Sequence, residues 1–276
     1  MSKTLWVDDV EVETRFEIAG DEYRAAKLPD GGVLVVYLAY DDEPSFVLDD
    51  DGTGKIISSS RRNGDRREYY EALGLDRDGD IPDEYFSEQE HPALERIWNR
   101  CDRLKAQVQQ GDLTETLRLE KVAYDQSAEW GKKQWEKDRK AGKIGNRFAV
   151  LLDVYSHGNE HWSVAADGQY YPDEQWDVGR SAGVWVPDKS LEETLTGIAK
   201  HSYPRAMKQA AEYARQYCEL YNDASSGAVF GLIVDTFDSE GTRVETDSCW
   251  GYAGWKYARQ EMIDEFNRRM GEKETA

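Results

Sequence analysis

Apolar and polar positions roughly alternate early in the chain, at Val10, Val12 and Phe16. A turn signal at Asp30-Gly31-Gly32 then leads into the unbroken apolar run Val33–Leu38. Alternation followed by a short apolar run predicts β structure over residues 5–48, with Val33–Leu38 as a buried strand. Residues 49–67 are rich in Asp, Gly and Ser and read as loop. Over residues 84–142 the period changes. Leu94, Ile97, Trp98, Cys101, Leu104 and Val108 recur at three- and four-residue steps, the spacing of one helical face. Gln110-Gly111-Asp112 interrupts that pattern, and Asp112 with Glu115 forms a fresh N-terminal cap, as in a helical hairpin. The second helix ends in Lys132, Lys133, Lys137, Arg139 and Lys140, which favours the negative end of the helix dipole.

From residue 146 the signals are mixed. Strands are predicted at Phe148–Val154, near Trp162 and at Val184–Val186, with a turn over Ser156–Glu160. Ser190 with Glu193 resembles a capping box for a helix over about 190–200, and Pro204 opens a longer one. Val229–Phe237 is a strand, Glu240-Gly241 a hairpin turn and Val244 the start of its partner. A last helix over about 253–270 places Trp255, Ala258, Met262, Phe266 and Met270 on one side. The predicted fold class is α+β: antiparallel or mixed sheets with packed helices and a central helical hairpin insertion. Three regions follow: an acidic, β-rich 1–83, a helical 84–145 and an α/β 146–276.

Composition adds one strong fact. The 276 residues carry a formal charge of −20, yet 39% are hydrophobic, with nine Trp and sixteen Tyr. Disordered acidic chains are usually poor in aromatics, so a folded protein with an acidic skin is expected. The start of the chain meets Asp8 and Asp9 before any apolar stretch of a signal peptide forms. No run approaches the roughly 18 apolar residues of a membrane span. Cys101, Cys218 and Cys249 are odd in number and widely spaced, which suits a reducing, cytoplasmic compartment. The acidity is uneven. Residues 1–50 hold 13 acidic and 4 basic side chains, whereas residues 101–150 hold 8 and 11. Such a charge disfavours direct nucleic-acid binding, which depends on Lys and Arg contacts to phosphate, and favours a basic partner surface. Solubility alone is the alternative reading.

The candidate chemical motifs are mostly incomplete. His157-Gly158-Asn159-Glu160-His161 matches the H-x-x-E-H zinc-peptidase pattern. That chemistry needs both histidines on one helical face, while these flanks alternate like strands around a Gly-Asn turn. As a metal site the motif would use His157, Glu160 and His161; the expectation is no metal and no cofactor. An EF-hand count from Asp49 places Ser60, and one from Asp76 places Ser87, where a bidentate Glu is required. Gly52-Thr53-Gly54-Lys55 lacks the preceding Gly and following Ser or Thr of a phosphate loop. Asp247-Ser248-Cys249-Trp250-Gly251-Tyr252 reads either as a thiol nucleophile with helpers or as a strand-to-helix corner with Trp250 buried. Trp176-Asp177-x-Gly179 reads as a packing and turn element.

Trp176-Asp177 leading into Ala182-Gly183-Val184-Trp185-Val186-Pro187-Asp188, then Gly231–Val234 and Asp247–Tyr252, resembles a family of largely uncharacterised accessory proteins of bacteriophages and conjugative elements. Asp51–Ile56 followed by Arg61-Arg62 is similar to that family's N-terminal part. The likeness covers roughly residues 33–62 and 146–262. Asn63 stands where the pattern has His, and residues 84–142 resemble an insertion. The resemblance implies a mobile-element origin and carries no catalytic residues with it. Together with the charge, it leads to an expected non-enzymatic binding protein that inhibits a host defence nuclease complex, acting in the host cytoplasm by imitating nucleic acid. The expected binding residues are Asp41, Asp42, Glu43, Asp49, Asp50 and Asp51, facing a basic protein surface. The alternatives are an enzyme, either a zinc hydrolase using His157, Glu160 and His161 or a thiol enzyme using Cys249, and an oligomeric assembly protein built through the helical hairpin; oligomeric state and target stay open.

Overall fold

The computed structural model describes residues 2–42, 53–59, 66–109, 111–172 and 174–274. Its organising element is the apolar run seen in the sequence, strand β4 (Val33–Tyr40), whose first seven residues are all buried. A strand exposes alternate side chains to opposite faces, so a continuous apolar run requires cover on both sides. Val33, Val35, Tyr37 and Ala39 meet the hairpin β1 (Thr4–Val7) and β2 (Val10–Glu13), which contributes Leu5, Val7, Val10 and Val12. Leu34, Val36 and Leu38 meet helix α7 (Trp255–Glu274) through Ala258 and Met262. β4 pairs with β3 (Tyr23–Lys27) and with β9 (Val229–Phe237), and β9 pairs with β10 (Arg243–Ala253), giving a four-stranded sheet of order β10-β9-β4-β3.

A second four-stranded sheet has the order β5-β8-β6-β7, from β5 (Lys55–Ser58), β6 (Val150–His157), β7 (Asn159–Val164) and β8 (Val178–Val186). Helices α5 (Lys189–Ala199) and α6 (Tyr203–Ser225) cover one face. Ala206, Ala210 and Ala214 are fully buried, and their small side chains let α6 lie close to the strands. Helix α1 (Arg66–Leu73) covers the other face through Tyr69 and Leu73. Every strand pairing among the described residues is antiparallel, and the fold is α+β. Both large sheets combine strands from residues 1–83 with strands from residues 146–276.

Helices α2 (Pro92–Lys105) and α3 (Leu113–Lys140) form the antiparallel helical pair expected from the sequence. Asp112 caps α3 by accepting from the Glu115 amide at 3.0 Å. Farther along α3, Gly131 receives the ring of Phe86, so close that a Cβ there would lie 2.5 Å from it. The short helix α4 (Glu174–Asp177) precedes β8.

Three local expectations need correction. The cap of α5 is Asp188 rather than Ser190: its carboxylate accepts from Leu191 N at 3.0 Å and, with its other oxygen, from Gly54 N at 3.1 Å. Fixing the start of β5 and of α5 together selects the earlier residue. The Cys249–Tyr252 segment is no strand-to-helix corner but an irregularity inside β10, with Gly251 at φ 94°. Trp250 is 40% exposed because its ring lies flat across Gly231 of the neighbouring strand instead of turning into the core. Trp176 does not pack; it is 81% exposed.

Candidate functional site

The expected acidic surface begins where β4 ends. Asp41 is half-buried and donates its amide to the Val229 carbonyl at 2.9 Å, and Asp42 is exposed. Glu43, Asp49, Asp50 and Asp51 lie outside the described residues. Asp41 and Asp42 therefore stand at one end of the β3–β4–β9–β10 sheet.

At the opposite end, three turns converge. In the β3–β4 turn, Asp30 Oδ1 accepts from Gly32 N at 3.0 Å. In the β9–β10 turn, Asp238 Oδ1 accepts from the amides of Glu240 and Thr242, each at 2.9 Å. A Cβ on Gly31 would touch Ser239 at 3.6 Å, and one on Gly241 would lie 2.1 Å from the Glu11 carbonyl. These close approaches bring both turns against each other and against β2. The tip of the β1–β2 hairpin joins them through Asp9, whose carboxylate meets Lys27 Nζ at 2.5 Å. The Lys27 hydrogen bond holds the Asp9 carboxyl below its ordinary range. Asp8, Asp9, Glu11, Asp30 and Glu240 are exposed there, with Asp238 half-buried among them. Each turn is visible in the sequence as an Asp or Asp-Gly signal. Their meeting depends on β4 pairing with β9, almost two hundred residues away, and no local pattern announces it.

Beneath this end lies a buried carboxylate. Asp235 is fully buried and accepts from the Tyr37 hydroxyl at 3.0 Å and from Thr246 Oγ1 at 2.7 Å. Arg243 Nε stands 3.5 Å away, within ion-pair range though outside hydrogen-bond geometry. Burial, the largest influence, drives the Tyr37 hydroxyl pKa strongly upward, so it stays a donor. Asp235 thus serves as an anchor for the strands that carry the turns.

The His157 motif is a β-hairpin. His157 ends β6, Gly158 at φ 91° makes the turn and Glu160 and His161 lie in β7. His157 Nδ1 pairs with Asp177 Oδ2 at 3.0 Å, while His161 Nε2 faces Asn222 Nδ2 at 3.3 Å. The helical face that zinc-peptidase chemistry requires does not exist at these positions. Among the described residues, no group of three or more His, Cys, Asp or Glu is placed to hold a metal ion. Cys249 is exposed on β10 beside the Tyr252 hydroxyl, whereas burial pushes the Cys218 thiol up to about 12.

A cleft of about 760 Å³ opens between β7 and α6 on one side and the start of α7 on the other. Arg215 on its wall is bound by both oxygens of Asp167 at 2.7 Å and by Glu212 at 3.1 Å, so its charge is neutralised locally. Asp223 also lines the cleft, and burial raises its carboxyl pKa, opposed by His161. No family of known proteins, no curated protein and no solved structure matches the chain. No described helix is long and apolar enough to cross a membrane.

Proposed function

We propose that this chain is an acidic binding protein that occupies the basic surface of a nucleic-acid-handling complex, with host defence nucleases as its target class. The observation that carries the reading is the convergence of the β1–β2, β3–β4 and β9–β10 turns, which sets Asp8, Asp9, Glu11, Asp30, Asp238 and Glu240 on one end of a rigid sheet. Carboxylates fixed on a scaffold present negative charge without the ordering entropy of a flexible tail, and a net charge of −20 steers them toward cations. The resemblance to mobile-element accessory proteins supports the choice of target.

The test is expression in cells carrying a panel of restriction and CRISPR systems, scored by phage plating. Rescue against at least one system is expected. The combined variant Asp8→Asn, Glu11→Gln and Glu240→Gln is expected to abolish it. Asp9, Asp30 and Asp238 are left intact because their side chains hold the turns. Absence of rescue by the unaltered protein across the panel overturns the target class; undiminished rescue by a folded variant overturns the surface.

A further inference from the structure

The two large sheets treat their free edges differently. The outer side of β7 is closed: Asn222 bonds both backbone polar groups of Trp162, at 2.8 and 2.9 Å, and Ser225 Oγ reaches the Glu160 carbonyl at 3.4 Å. β10, also an edge, is the longest strand among the described residues, at eleven residues, and no described strand or side chain closes its outer side in the same way. Glu245, Asp247, Ser248 and Cys249 are all exposed. Folded proteins normally blunt such edges, because a row of free N–H and C=O groups is a template for another strand.

We propose that the edge of β10 receives an extended, basic segment of a partner protein, which adds as a further strand. Register shifts between Arg243 and Glu245 and between Cys249 and Tyr252 bracket five residues in continuous register with β9, Glu245–Cys249. That stretch is about 17 Å of ladder, the length of an ordinary strand. The partner's chemistry follows from the charges beside it. Glu245 and Asp247 lie on the face of the sheet that α7 covers, as their β9 partners Thr236 and Val234 show by register. The cations nearby are already engaged: Arg269 with Asp247 and Glu265, Arg268 with Glu265, and Arg243 with Asp235. Asp247 is itself held by Arg269, so Glu245 is the exposed carboxylate of this face left for a partner, and an added strand is favoured when it carries Lys or Arg opposite it. Backbone bonding supplies the docking and alternate side chains the selection. The ladder begins at Glu245, just beyond the β9–β10 turn, but it uses none of the turn carboxylates, and the inference does not rest on the defence reading.

The probe is a labelled ten-residue peptide alternating Lys with Thr, followed by fluorescence anisotropy and by amide hydrogen exchange of the full chain. Expected are saturable binding, slowed exchange confined to residues 244–250, and affinity about tenfold weaker in Glu245→Lys, the change that converts a cross-strand attraction into a repulsion. A twin peptide with N-methylated backbone amides and the same charge is expected to bind at least about tenfold more weakly, because it cannot donate to a ladder. A Glu-for-Lys twin is expected not to bind. Equal binding of the methylated twin, unchanged exchange in β10 at saturation, or no binding of the basic peptide overturns the proposal. None of these outcomes bears on phage plating, so its failure is distinguishable from that of the proposed function.

Discussion

The Asn222 side chain closes the edge of β7 by bonding both backbone groups of Trp162: Oδ1 accepts from its N–H at 2.8 Å and Nδ2 donates to its carbonyl at 2.9 Å. An amide side chain thus takes the place of a fifth strand, and it also docks α6 against the sheet. Replacing it by Ala leaves both groups without their partner beside a Trp that is 2% exposed. Asn222→Ala is expected to lower the unfolding free energy by about 2–3 kcal/mol, read from urea denaturation. Asn222→Asp keeps the acceptor but sets a carboxylate against the carbonyl, and is expected to cost at least as much. A loss below about 0.5 kcal/mol for either variant would show that water replaces the amide freely.

The Tyr37–Asp235 pair predicts a coupled loss. The Tyr37 hydroxyl donates to Asp235 and accepts from the amides of Arg15 and Phe16, at 3.0 and 3.2 Å. Tyr37→Phe is expected to cost about 1–3 kcal/mol. Asp235→Ala strands Arg243, Thr246 and the hydroxyl together, so about 3–5 kcal/mol is expected. In a double-mutant cycle of Tyr37→Phe with Asp235→Asn, a coupling above about 1 kcal/mol is expected; simple additivity would refute the network.

Local patterns made much of the fold legible. The apolar run Val33–Leu38, the Asp112 cap and the strand Val229–Phe237 all stand where periodicity and turn residues put them. What failed depended on contacts between distant segments. Asp188 displaced Ser190 as a cap because its second oxygen is held by Gly54. Trp250 stayed at the surface because Gly231 offers a flat seat on the next strand. The proposed acidic surface was less legible than the fold for the same reason: Asp41 and Asp42 sit together by sequence, while Asp8, Asp30 and Glu240 come together only through sheet pairing.

Gly231 is predicted to be intolerant of even one methyl group. A Cβ there would lie 2.3 Å from the Trp250 ring, which also packs edge-on against Phe16 with centroids 5.3 Å apart. Gly231→Ala must lift the indole and is expected to cost about 1–3 kcal/mol in thermal or urea unfolding. Gly197 in α5 has nothing within 4 Å of a Cβ. Gly197→Ala is expected to stabilise by about 0.5–1 kcal/mol through helix propensity. Similar effects at both positions would remove the packing argument.

Asp223 gives a pH-dependent prediction. Burial at the cleft raises its carboxyl pKa above the ordinary 3.8, and His161 works in the opposite direction. A carboxyl raised in the folded state binds more protons folded than unfolded. Stability therefore falls as pH rises through the interval between the two pKa values, and the penalty is complete above the folded value. Asp223→Asn removes the penalty, so the variant is expected to be the more stable one near pH 7. As pH falls through the folded-state carboxyl pKa, the wild-type carboxyl takes up its proton and the advantage shrinks. It vanishes below about 3.8, where the wild-type carboxyl is protonated in both states. Urea midpoints of both proteins across this range, in constant salt, provide the measurement. An advantage that stays constant with pH would mean that the substitution acts through packing, and a variant less stable at neutral pH would mean that the Asp223 carboxylate has a partner in the cleft that outweighs its burial.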